Sequence, residues 1–250
     1  MDLQLKGKTA LVTGTSTGIG RAIAKGLAAE GVKLCITARR RNLMEELAKE
    51  IVAAGGLQPH IIAADLMEDD TPRKLADEAL KALGQINILV NNAGGSRPLP
   101  FDAGEDKWYE AMTFNFTRVR QLTQCVLPDM IEHKWGRIIN ITGKSEAESL
   151  NAAHAAKAGV HAWAHGVSKE VGKHNITINS IPPGRILSEQ IRRNNPEPVR
   201  KEFAEKNIPL GRFGEPEELA CLVVFLASPV ARYISGTVIP VDAGLRRYPF

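Results

Sequence analysis

The chain is poor in cysteine and has no long apolar run, and each shortage excludes a class of protein. Cys35, Cys125 and Cys221 are scattered along 250 residues and odd in number, which argues against a disulfide framework and fits reduced thiols in a cytoplasm. The longest apolar stretch, residues 219–227, is far too short to span a bilayer. The first nine residues lack the apolar stretch of a secretory signal. Net charge is +4, too small an excess to imply nucleic acid, so the basic residues need local explanations. Internal repeats, low-complexity tracts and linkers are missing as well. At this length the chain can bury one substantial core, and one domain over residues 1–250 is expected.

What the chain does have is alternation. Short β-like runs at 8–13, 33–37, 60–64, 86–90, 136–142, 176–181 and 237–241 are interleaved with helical patterns such as 18–30 and 42–54. The runs lack a clean apolar–polar alternation, as expected of strands covered by helices on both faces. Strand–helix alternation implies right-handed parallel crossovers. The expected fold is α/β, a single doubly wound Rossmann-type domain with a mostly parallel seven-stranded sheet. The proline-rich stretch 194–198 reads as a loop boundary within it.

The first run ends in Thr13-Gly-Thr-Ser-Thr-Gly-Ile-Gly20 and then opens a helix. Glycines at 14, 18 and 20 let main chain approach a pyrophosphate, and the helix N-terminus supplies unpaired N–H groups and a positive dipole. A glycine-rich turn alone also fits a plain strand-to-helix connection. Its position between strand and helix favours phosphate binding.

The spacing Gly-x-x-x-Gly-x-Gly does not stand alone. Asp65-Leu66 follows the third run and Asn91-Asn-Ala-Gly94 the fourth. Asn115 lies in Phe-Asn-Phe-Thr, and Gly136-Arg-Ile-Ile-Asn140, Pro183-Gly184 and a glycine-bounded segment 236–244 come later. Together these motifs resemble the short-chain dehydrogenase/reductase family, of the 3-oxoacyl-carrier-protein reductase type, over nearly the whole chain. The resemblance implies a nicotinamide-dependent oxidoreductase and assigns roles by position. Gly14, Thr15, Ser16, Gly18, Ile19 and Gly20 form the pyrophosphate turn. Asp65 and Leu66 touch the adenine, while Asn92, with Ala93 and Gly94, lies on the adenosine side. Ile186 and Ser188 meet the nicotinamide carboxamide. Lys157 holds the nicotinamide ribose, and Asn115 supports a water relay.

The cofactor choice has a physical argument. The second run ends Ala38-Arg39-Arg40-Arg41, with no acidic residue to accept ribose hydroxyls. Guanidinium groups pair bidentately with a 2′-phosphate, which a carboxylate would repel. NADP(H) is expected over NAD(H), with Arg39 and Arg40 as phosphate ligands; a solvated basic helix start is the bland alternative.

The catalytic region departs from the family. The position that usually carries the catalytic serine is Gly143, and the segment from there to Lys157 is shorter than in typical members. The usual tyrosine position, four residues before Lys157, is Ala153, and Leu150 stands at the enoyl-reductase spacing. Neither can give a proton. The only tyrosines are Tyr109, Tyr233 and Tyr248, all distant in sequence. Carbonyl reduction builds negative charge on the substrate oxygen, which a donor must meet. Lys144, Ser145 and His154 are the polar groups nearby that can replace the lost pair. His154 lies three residues before Lys157 on a neighbouring part of the helix face, where a cation lowers its pKa. Each also has an ordinary reading, as polar loop or surface histidine. Tyr248 reaching another subunit's site is a further option.

Arg97, Arg185, Arg192, Arg193 and Lys144 are read as a cationic rim suited to a carboxylate, phosphate or acyl-carrier substrate, or else as scattered solvated charge. By resemblance a homo-oligomer, dimer or tetramer, is expected, with Val119, Leu122, Val160 and Trp163 on the joining helices unless they face the core. Two functions stay open. One is an NADP(H)-dependent oxidoreductase interconverting a carbonyl and a hydroxyl on a small substrate. The other is a catalytically inactive NADP(H)-binding sensor or scaffold. Neither reading involves a metal, nucleic acid or membrane, and a cytoplasmic location is expected.

Overall fold

Six short strands take their order from the apolar runs, and the computed structural model describes residues 1–143 and 149–246. In chain order the main elements are β1 (Thr9–Thr13), α1 (Gly18–Ala29), β2 (Lys33–Ala38), α2 (Arg41–Ala53), β3 (His60–Ala63), α3 (Thr71–Leu83), β4 (Ile88–Asn91), α4 (Glu105–Met112), α5 (Arg118–Glu132), β5 (Gly136–Ile141), α6 (Ala152–Val171), β6 (Ile176–Ile181), α7 (Glu189–Asn194), α8 (Glu197–Asn207) and α9 (Pro216–Ala227). The strands pair in parallel in the order β3-β2-β1-β4-β5-β6. Strand order reverses between β1 and β4, and in such sheets ligands bind in the crevice beyond the carboxyl ends of those strands.

Successive side chains of each strand enter opposite cores. Ala10, Val12, Leu34, Ile36, Ile88 and Val90 join Leu27, Leu47 and Val223 on the face covered by α1, α2 and α9. Leu11, Cys35, Leu89, Ile138, Ile176 and Ile178 join Leu75, Leu122 and Ala164 on the face covered by α3, α5 and α6. That is why the runs show no polar alternation: both faces are dry. Burial drives the Cys35 thiol pKa up to about 12, with Glu78 adding to the effect, so this cysteine is an inert core residue.

Among the described residues the sheet has six regular strands, close to the seven expected. Residues 237–241 do run parallel beside β6, with Ser180 N–H donating to Thr237 O and Ile239 N–H to Ser180 O, both 2.9 Å. They form only isolated bridges, at Ser180–Val238 and Pro183–Val241. Pro240 on one side and Pro182-Pro183 on the other have no N–H to continue a ladder. The stretch 194–198 does mark a boundary, between α7 and α8. Of the four apolar residues assigned to a subunit face, Leu122 and Val160 are 1% exposed and belong to the interior. Val119 and Trp163 keep partial exposure. Among the described residues, no helix is long and apolar enough to cross a membrane.

Candidate active site

The connection from β1 to α1 is fixed by main chain. Gly14 N–H and Thr15 N–H both donate to Thr37 O, at 2.8 and 3.2 Å, which ties the loop to β2. Asn92, just past β4, donates through Nδ2 to the carbonyls of Thr13 and Gly14 at 2.9 and 3.0 Å. Thr13 Oγ1 accepts from the N–H groups of Asn92 and Ala93. Gly14 and Gly18 have φ of +70° and +58°, the left-handed region that side chains disfavour. Gly20 is needed for space: a Cβ there would stand 2.2 Å from Gly14 O and 2.4 Å from Asn92 Nδ2. Helix α1 then starts at Thr17 with no side-chain cap and no acidic residue in its first turn. Its first N–H groups and positive dipole end are left for an anion.

This loop lies in a cavity of about 560 Å³ at the reversal of strand order. Gly14, Ser16, Gly18, Ile19, Gly20, Arg39, Arg40, Asp65, Leu66, Asn92, Ala93, Gly94, Lys157 and Ser188 all line it. Two residues given cofactor roles do not. Thr15 is fully buried, its hydroxyl 3.4 Å from Thr37 O. Ile186 is 5% exposed, packs into the core and borders a separate smaller cavity.

At the end of β2, the arginines have carboxylate partners that no local pattern in the sequence announces. Arg40 Nη2 lies 3.0 Å from Glu189 Oε2 and 3.1 Å from Ser16 Oγ, and Nη1 is 3.4 Å from Glu189 Oε1. Arg39 Nη1 is 3.8 Å from Asp65 Oδ2. The acids missing from the end of β2 are brought there by the fold.

At the other end, Asn115, Gly94 and Lys157 converge. Asn115 sits in a π-helical turn, Thr113–Thr117, between α4 and α5; such bulges often mark functional sites. It is 2% exposed, accepts from Gly95 N–H at 3.0 Å and donates to Ala111 O at 3.0 Å. A Cβ on Gly94 would lie 3.0 Å from Asn115 Oδ1 and 3.6 Å from Lys157 Nζ, so the glycine keeps that gap open. Lys157 Nζ donates to Thr142 O at 3.0 Å, and burial draws its pKa down to about 8. His161, one turn further along α6, places Nε2 2.8 Å from Thr142 Oγ1. Burial, then Arg246 and Lys157, lower its pKa and favour the neutral ring. The i+4 spacing from Lys157 was the available signal for His161.

The donor region is described only in part. Lys144, Ser145 and Tyr248 lie outside the described residues. His154 is on the first turn of α6, partly buried. A Cβ on Gly143 would be 3.2 Å from Lys157 Cδ and 3.9 Å from His154 Cδ2, so both side chains border position 143. Ala153 is 1% exposed and packed. Asn151 caps α6, accepting from Ala153 N–H and Arg97 N–H at 3.0 Å each. The cationic rim is not assembled. Arg97 pairs with Glu110 at 2.9 Å, Arg192 with Glu215 at 3.7 Å, and Arg185 stacks over Phe203 beside the smaller cavity. Among the described members of that set, only Arg193 lines the main cavity. Long side chains took the nearest acid or ring instead of converging.

Residues 14–246 match the family described as Enoyl-(Acyl carrier protein) reductase. The chain is also 36% identical, over 98% of its length and 100% of the relative's, to the 3-oxoacyl-[acyl-carrier-protein] reductase FabG of Aquifex aeolicus. The chain belongs to the short-chain dehydrogenase/reductase family. Its fold is similar to a solved 7α-hydroxysteroid dehydrogenase complexed with NADH and 7-oxo glycochenodeoxycholic acid, with a TM-score of 0.91 and 31% identity over 97% of this chain and 96% of that one. It is also similar to the L-sorbose reductase of Gluconobacter frateurii complexed with NADPH and L-sorbose, with a TM-score of 0.93 and 29% identity over 99% and 100% of the two chains. Because these two relatives were solved with different nicotinamide nucleotides, the choice for this member of the family rests on its own residues.

Proposed function

We propose that this chain is an NADP(H)-dependent oxidoreductase that interconverts a carbonyl and a hydroxyl on an acyl-carrier-bound or other small substrate. Its proton donor differs from the tyrosine usual in the family. The observation that carries this reading is the cavity: it is lined by an uncapped, glycine-rich helix start, by Arg39 and Arg40, and by Gly94 and Lys157, with the buried Asn115 packed behind Gly94.

The residues fit the nucleotide. The Gly14–Gly20 approach leaves no room for a side chain, and an acid-free helix start favours a pyrophosphate. When bound, NADP(H) supplies or takes up the hydride. The chain supplies position and charge. Ser16, Gly18 and Ile19 would hold the pyrophosphate, Arg39 and Arg40 the 2′-phosphate, Asp65 and Leu66 the adenine, and Ser188 the carboxamide end. Lys157 would hold the ribose and, still largely protonated at neutral pH, keep positive charge beside the developing oxyanion. His154 borders the same space as Lys157, and Lys144 and Ser145 are its neighbours in sequence past Gly143. We assign the donor role to this set.

Screening NADPH oxidation against ketones, enones and acyl thioesters tests the reading, with Lys144→Ala, Ser145→Ala and His154→Ala assayed singly. Turnover of a ketone or 3-oxoacyl thioester, slowed by at least one replacement, is expected. Turnover of enones alone would move the reaction to carbon–carbon double bonds, and unchanged rates for all three variants would remove the donor assignment. The packed Ala153 favours a second reading, a nucleotide-binding protein without catalysis. Tight NADPH binding with no turnover in any substrate class would establish that one. A homo-oligomer belongs to the proposal, supported by the partly exposed Val119 and Trp163; elution at monomer size would remove it.

A further inference from the structure

Arg40 and Glu189 are 149 residues apart in sequence, yet their side chains meet at the edge of the nucleotide cavity. The contact is two-pronged, with Nη2–Oε2 at 3.0 Å and Nη1–Oε1 at 3.4 Å. Ser16 Oγ and Thr17 Oγ1, at 3.1 and 3.3 Å from Nη2, complete the ring around the guanidinium. Glu189 is the first residue of α7 and follows Ser188, whose Oγ caps that helix by accepting from Ile191 N–H at 3.2 Å. The pair therefore joins the β2 end and the phosphate loop to α7 across the cavity.

We infer that Glu189 is a specificity-determining residue that competes with the 2′-phosphate of NADP(H) for Arg40. This inference rests on the cofactor reading above. A guanidinium presents one planar fork, and a carboxylate and a phosphate both seek it bidentately. In this structure Glu189 occupies that fork. NAD(H) has no 2′-phosphate and leaves the pair intact. NADP(H) brings a dianion to the same fork, and like charges within a few ångströms repel, so Glu189 must give way. An exchange partner is close: Arg193, one turn further along α7, lines the cavity and adds to Arg40's larger effect in holding the Glu189 carboxylate ionised. Glu followed by Arg at i+4 is the favourable orientation for a pair along a helix. Glu189 thus lowers the preference for NADP(H) below what Arg39 and Arg40 alone would give, and its release couples the 2′-phosphate to the tether on α7.

The test is calorimetric titration of the full chain and of Glu189→Gln with NADPH, NADH and 2′,5′-ADP, with and without Arg40→Ala. Removing the charge is expected to tighten NADPH and 2′,5′-ADP binding about two- to fivefold, the range of an exposed ion pair, and to leave NADH within error. In the Arg40→Ala background the gain should disappear. Hydrogen exchange over 189–194 in the native chain should rise with saturating NADP(H) and not with NAD(H). Unchanged or weaker NADPH binding by Glu189→Gln overturns the inference, as does equal tightening of both nucleotides. Failure of the underlying reading looks different: the unaltered chain would bind neither nucleotide, or would prefer NADH.

Discussion

Replacing Lys157 with methionine separates its cost to the fold from its use in the site. Burial moves the ammonium pKa from 10.5 to about 8. At 1.36 kcal/mol for each pH unit, that displacement is a penalty of about 3 kcal/mol for keeping the charge in the folded state. The replacement also strands Thr142 O, which accepts from Nζ at 3.0 Å, at a cost of about 1 kcal/mol. Methionine has comparable reach and no charge, so the net gain at pH 7 is about 2 kcal/mol, a rise in Tm of about 4–8 °C for a chain of this size. The sign has a pH signature. Below pH 8 the lysine is charged in both folded and unfolded states and the full penalty applies. Between about 8 and 10.5 the unfolded chain holds the proton and the folded one has lost it, so the native protein gains stability as pH rises. The advantage of Lys157→Met should therefore shrink through that window. Nucleotide affinity should move the other way, falling about tenfold or more with loss of a charged hydrogen bond to the ribose. Scanning calorimetry at pH 7, 9 and 10.5, with NADPH titrations, reads both effects. A lower Tm at pH 7, or a gain independent of pH, would refute the claim that Lys157 is held at the site against its own solvation.

Gly20→Ala should weaken NADPH binding at least tenfold and destabilise the chain by about 1–3 kcal/mol. A Cβ 2.2 Å from Gly14 O must push the helix start off its loop, and that strain outweighs the roughly 1 kcal/mol by which alanine favours a helix; NADPH titration and thermal unfolding read the two losses. Ala153→Tyr, which places a phenol one turn before Lys157, should yield no turnover above that of the unaltered chain and cost about 1–3 kcal/mol, because position 153 is 1% exposed in a packed first turn; NADPH oxidation and a melting curve check both parts.

The fold was legible because apolar runs dry on both faces can only be central strands of a covered sheet. The seventh run failed as a regular strand for a reason also in the sequence, since Pro240 faces Pro182-Pro183 and a ladder cannot continue through them. The geometry of the glycine-rich loop was legible because glycine spacing encodes main-chain contacts, and Gly14 and Gly20 are held within van der Waals limits of Asn92 and of each other. Charge pairing was not. The end of β2 has no acid in sequence, yet Arg39 and Arg40 face Asp65 and Glu189 in space. Long flexible side chains choose partners after the backbone is set, which is also why Arg97, Arg185 and Arg192 never formed a rim.

The two ends of the cavity are built on different principles, and this bears on where the donor sits. The phosphate end is specified by main chain, where a single added carbon clashes. The opposite end is specified by side chains, with Gly143 and a packed Ala153 at the positions that the resemblance gives to the usual hydroxyls. Asn151 locks the start of α6 by bonding Ala153 N–H, Arg97 N–H and Ser96 Oγ, so the helix has no slack with which to bring a different residue to position 153. On the proposed reading, a replacement donor comes from the segment after Gly143 or from another residue of the first turn of α6. His154 stands on that turn with its ring beside the space a side chain at 143 would fill, and Lys157 closes the same space from one turn below. On the proposed reading, those two side chains flank the space from which a proton would reach a substrate oxygen.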